Sequence, residues 1–100
     1  MVQATTPTFV LTVPETVDLT AAVNVYFTLR QSNVLIEKAT SDLTISEHEV
    51  RVYLTQEETL KLKDGQASIQ LNWTYSGGER ACSEIAFVRV TENLLKEVVA

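Results

Sequence analysis

The stretch Gln66-Ala67-Ser68-Ile69-Gln70-Leu71-Asn72-Trp73-Thr74-Tyr75 alternates apolar and polar side chains without a break. In an extended chain, successive side chains point to opposite faces. Ala67, Ile69, Leu71, Trp73 and Tyr75 therefore share one face, and Ser68, Gln70, Asn72 and Thr74 share the other. A helix would scatter these positions, so the segment reads as a strand with one buried face. Ser76-Gly77-Gly78-Glu79 follows as a hairpin loop, where glycine supplies positive φ. Arg80–Val90 returns as the partner strand. Its pattern is mixed: Ile85 and Phe87 fall on one face, Ala86, Val88 and Val90 on the other. Apolar residues on both faces suggest a central strand, or an outer face covered by a partner.

The same reading extends toward the N-terminus. Thr8–Val13 alternates, with Phe9, Leu11 and Val13 on one face, and Pro14 ends it because proline cannot donate to a ladder. Val17–Thr20 is a connector. Ala22–Leu29 points Val23, Val25, Phe27 and Leu29 one way. Gln31-Ser32-Asn33 is a tight turn in which Asn tolerates left-handed geometry. Val34–Ala39, Leu43–Ile45 and Glu49–Leu54 complete the series, the last with Val50, Val52 and Leu54 inward. Thirteen Val, thirteen Thr and four Ile supply the stiff, branched side chains that suit a pleated surface.

One segment breaks the alternation. Thr55-Gln56-Glu57-Glu58 has the spacing of a capping box, with Thr55 as N-cap and Glu58 three residues on. Its two acids also suit the positive end of a helix dipole. The spacing predicts a short helix over about 55–61, burying Leu60 and Leu62 and closing at Asp64-Gly65. The fold class that follows is all-β: an antiparallel immunoglobulin-like β-sandwich of about seven strands. The helix lies between the fifth and sixth strands, and a small barrel is the rival architecture. The domain spans 8–91. Residues 1–7 form a flexible N-terminus, and 92–100 form a tail or short helix that is a possible docking segment.

A chain of 100 residues suffices for one core and not for two domains. Its net charge of −5 comes with eight scattered cations, which argues against nucleic acid as a partner. No apolar run approaches a membrane span, and Met1–Pro7 lacks the cation and apolar core of a signal peptide. The expectation is a protein made in the cytoplasm, with a place in an assembled particle equally compatible.

Chemistry-bearing residues are sparse. Cys82 and His48 are the lone thiol and the lone imidazole. They read as a small buried thiol and a turn histidine rather than as nucleophile and base. The acid pairs Glu47/Glu49 and Glu57/Glu58 read as a solvated face and helix-start acids, with nothing to raise a pKa for glycoside chemistry. No clustering of His, Cys or acids suits a metal, and Gly77-Gly78 joins two strands rather than cradling a phosphate. No catalytic residue, cofactor or metal is expected. Trp73 reads as a core anchor. Tyr26 and Tyr53 fall in the outward register and are candidate interface residues or plain exposed strand tyrosines. Leu94, Leu95, Val98 and Val99 are candidates for docking, with packing on the parent domain the alternative.

Five stretches carry a family resemblance in this order: Asp18-Leu19-Thr20; Val25-Tyr26-Phe27-Thr28-Leu29-Arg30-Gln31; Leu54-Thr55-Gln56-Glu57-Glu58-Thr59-Leu60; Ile69-Gln70-Leu71-Asn72-Trp73-Thr74-Tyr75; and Val88-Arg89-Val90-Thr91-Glu92-Asn93-Leu94-Leu95. Together they resemble small prophage-encoded structural proteins of Gram-positive bacteria. More distantly, they are similar to the N-terminal β-sandwich domain of phage baseplate upper proteins. The resemblance implies a virion tail or baseplate component working by protein–protein contact, without cofactor or active site. The leading expectation is thus a non-enzymatic interaction module that self-associates or holds a protein partner. A carbohydrate- or ligand-binding module built on an aromatic platform such as Tyr26 with Tyr53 is the alternative.

Overall fold

The computed structural model describes residues 1–99. Its eight strands are β1 (Thr8–Thr12), β2 (Asn24–Gln31), β3 (Val34–Ala39), β4 (Leu43–Ile45), β5 (Glu49–Tyr53), β6 (Gly65–Thr74), β7 (Arg80–Cys82) and β8 (Ala86–Val90). One helix, α1 (Gln56–Leu60), lies between β5 and β6. The strands form two sheets rather than one closed barrel. The smaller has the order β1-β5-β4; the larger has the order β3-β2-β6-β7, with β8 also paired to β6. Every pair of named strands is antiparallel.

The period-2 faces meet in one core. Val25, Phe27 and Leu29 of β2 and Ala67, Ile69, Leu71 and Trp73 of β6 are buried against Val50 and Val52 of β5. Phe9 of β1 stacks on Phe27 of β2 with ring centroids 6.3 Å apart, which joins the two sheets directly. Trp73 is buried as a core anchor, and its indole N–H donates to the Tyr75 hydroxyl at 3.1 Å. Val23 departs from expectation. It precedes β2 at the sheet margin and stays exposed.

The helix forms where its capping box lies. The Thr55 hydroxyl accepts from the Glu58 amide at 3.2 Å, and the Glu58 carboxylate accepts from the Thr55 amide at 2.9 Å. Leu62 is fully buried but Leu60 only partly; Thr59 takes the buried position instead, its hydroxyl donating to the Thr5 carbonyl. The connector after β1 also gains order. Leu19–Ala21 is a 3-10 turn capped by Asp18. Bonds from the Thr20 hydroxyl and amide hold the Asp18 carboxyl below its ordinary range.

The β2–β3 hairpin turns on Ser32, whose φ of 52° makes it the left-handed residue rather than Asn33. The Gln31 amide side chain pins this corner by donating to the Lys63 carbonyl and accepting from the Lys63 amide, both at 2.7 Å.

The Arg80–Val90 segment requires a correction. It is two strands at a sheet edge, not one central strand. Asn72 faces Cys82 and Ile69 faces Ala86, so two β6 residues (70, 71) lie opposite three residues (83–85). One extra residue is a β-bulge, and it moves the inward face from odd to even numbers. Ala81 points inward before the bulge and Val88 and Val90 after it, while Phe87 is left 63% exposed. The mixed alternation thus comes from a register step rather than from burial on both sides.

Residues 1–7, expected as a flexible arm, are hydrogen-bonded to the domain. Val2 forms a parallel bridge with Thr91, the Gln3 amide donates to Thr91, and the buried Gln3 side chain donates to the Leu62 carbonyl at 2.6 Å.

Candidate interaction surface

The residues singled out by sequence do not gather into one site. Tyr26 is 40% exposed on the outer face of the larger sheet. It borders a shallow depression with Glu37, Asn72 and Arg80, whose guanidinium donates to the Asn72 side chain. Tyr53 is 53% exposed on the outer face of the smaller sheet. The two rings therefore face solvent from different sheets and form no shared platform.

Residues 92–99 form an irregular tail with bends at Leu94 and Glu97, not a helix, and residue 100 lies outside the described residues. Val99 is tied to α1 by paired bonds with the Gln56 side chain, at 2.8 and 2.9 Å. Val98 shares a small groove with Tyr53, Thr6 and Thr55. Leu94 is 94% exposed, whereas Leu95 is only about half exposed.

Cys82 is exposed, not buried. It sits on β7 opposite Asn72, in the outward register. The His48 ring Nδ1 lies 2.6 Å from the Val17 carbonyl beside the start of β5. Cys82 borders the groove beside β1, whose lining does not include His48. Of the acid pairs, Glu58 is engaged by Lys38 at 2.7 Å and Glu49 lies 3.5 Å from Arg51. Among the described residues no group of three metal-ligating side chains occurs, and no helix is long and apolar enough to cross a membrane.

Sequence reasoning missed an apolar groove. Between the free edge of β1 and the β7–β8 bulge runs a groove of about 810 Å³. Leu11, Val13, Ile69, Leu71, Trp73 and Ala86 contribute to its wall, and so does Cys82. The two sheets part here, with Leu11 partly buried at the groove's border and Ile69, Leu71 and Trp73 buried at its floor. β1 pairs with β5 through its odd residues: the Val13 amide donates to the His48 carbonyl and the Leu54 amide to the Pro7 carbonyl. Antiparallel bonding alternates, so the amides and carbonyls of Thr8, Val10 and Thr12 point away from β5. The sequence carried a signal for this edge: residues 1–14 contain no charged side chain.

No protein-family model, curated protein or solved structure matches this chain.

Proposed function

We propose that this chain is a non-enzymatic interaction module, an immunoglobulin-like β-sandwich that serves as a tail or baseplate component of a phage-like particle. One observation carries the reading: the two-sheet core leaves the edge of β1 unpaired beside an apolar groove. Such an edge presents unpaired peptide groups, the feature that strand-adding partners recognise.

The immunoglobulin-like part is supported by strand order. Lettering β1 as strand B makes the smaller sheet B-E-D and the larger sheet C′-C-F-G, the two layers of that architecture without its first strand. The helix then falls between E and F. In this lettering the groove beside β1 is the place of the missing strand A. The particle assignment is supported by the five stretches that resemble prophage structural proteins.

The test is assembly. The chain is co-expressed with the products of the genes that flank its own, and the mixture is resolved by size exclusion with light scattering. A stable complex of defined stoichiometry is expected. Separate elution from every such protein would reject the particle assignment.

A further inference from the structure

We propose that the open edge of β1 is a self-association site, where β1 of a second copy pairs antiparallel about a two-fold axis through Val10. The inference rests on reading the chain as an interaction module, and it names the partner.

The edges of the two sheets differ in how they are protected. Natural sheets block unwanted pairing with short strands, charges, bulges or cover. β4 has three residues and follows Asp42. β3 carries Glu37 and Lys38. The β7–β8 edge carries Arg80 and Arg89, is broken by the bulge, and is partly covered where Val2 bridges Thr91. β1 has none of these. It is five residues long, unbulged and uncharged, and Val10 at its centre is 50% exposed.

Its sequence also complements itself. Thr8-Phe9-Val10-Leu11-Thr12, reversed, places Thr opposite Thr, Phe opposite Leu and Val opposite Val. Aromatic–aliphatic and Thr–Thr pairs are favourable across an antiparallel ladder. The outward peptide groups at Thr8, Val10 and Thr12 are symmetric about Val10, as a two-fold contact requires. Phe9 and Leu11 point to the inner side, so each copy brings apolar side chains to the open border of the other's groove. Pro7 and Pro14 bracket the strand and limit slippage, since neither can donate to a ladder.

Sedimentation of the purified chain across a concentration series tests the pairing. A dimer is expected. Val10→Lys and Val10→Glu each place like charges face to face on the axis and should weaken the dimer about tenfold or more. Mixing the two variants should restore pairing as a heterodimer, a rescue that loss of folding could not give. Thr44→Lys, on β4, should leave the dimer intact. A monomeric wild-type chain, or a dimer that survives both Val10 variants, overturns the proposal. A monomer that still binds a tail protein overturns the self-pairing while leaving the wider function standing.

Discussion

Ser83 replaces a backbone group in the ladder. At the bulge its amide donates to the Leu71 carbonyl, while its hydroxyl oxygen accepts from the Leu71 amide, both at 2.9 Å. The Gln70 side chain caps the Ser83 carbonyl at 2.9 Å. Leu71 is almost fully buried, so its amide has no water to turn to. Ser83→Ala should therefore cost about 1–3 kcal/mol, the penalty of a buried donor without a partner. Ser83→Thr keeps the oxygen and should recover most of that loss. Urea unfolding of the three proteins measures the difference; an Ala variant as stable as wild type would mean the bulge re-forms its ladder another way.

At the scale of elements, α1 is held by charge as well as by its cap. Lys38 leaves β3 on the inward side, opposite Phe27, and reaches Glu58 of α1 at 2.7 Å. Burial pushes the Glu58 carboxyl up, but the bonds from Lys38 and from the Thr55 amide outweigh it and hold the group below its usual 4.5. A carboxyl depressed in the folded state adds stability above its unfolded pKa and loses it as pH falls through the folded value. Glu58→Gln keeps a capping-box residue and removes the charge, so it isolates the ion pair. The variant should lose about 1 kcal/mol or less at pH 7, and the gap to wild type should close below about pH 4.5. Thermal unfolding at pH 7, 5 and 3 checks both statements. A gap that persists at pH 3 would assign the effect to packing instead. This element was legible in the sequence because a capping box is local: Thr55 and Glu58 are three residues apart and need no distant partner. The strands were legible for a related reason, since a buried face imposes period 2 on Val25, Phe27 and Leu29 wherever the sheet lies. The bulge was not legible. Its one-residue step is fixed by pairing with β6, and Ile85 and Phe87 carry no mark of it. The candidate surface was less legible still. Tyr26 and Tyr53 share an outward register in sequence, but only the sheet order assigns them to different layers.

For the whole molecule, strand order sets where the structure opens. β2 and β6 lie between neighbours in the larger sheet, and β5 lies between β1 and β4. Opening any of these breaks two ladders and uncovers buried Phe27, Leu71 or Val52. Their amides should exchange with solvent most slowly. β1 is bonded on one side only, and its amides should split by parity. Those of Phe9 and Leu11 face β5 and should be protected, while those of Thr8, Val10 and Thr12 face out and should exchange roughly tenfold faster or more at low protein concentration. Raising the concentration should slow the outward set and leave the inward set nearly unchanged, because a second strand covers only the outer edge. Residue-resolved hydrogen exchange at two concentrations reads this pattern directly. If the outward amides are already protected when the protein is dilute, the β1 edge is covered within a single chain. If concentration slows Phe87 and Arg89 instead, the molecules meet along β8, and the charge-free strand is not where they join.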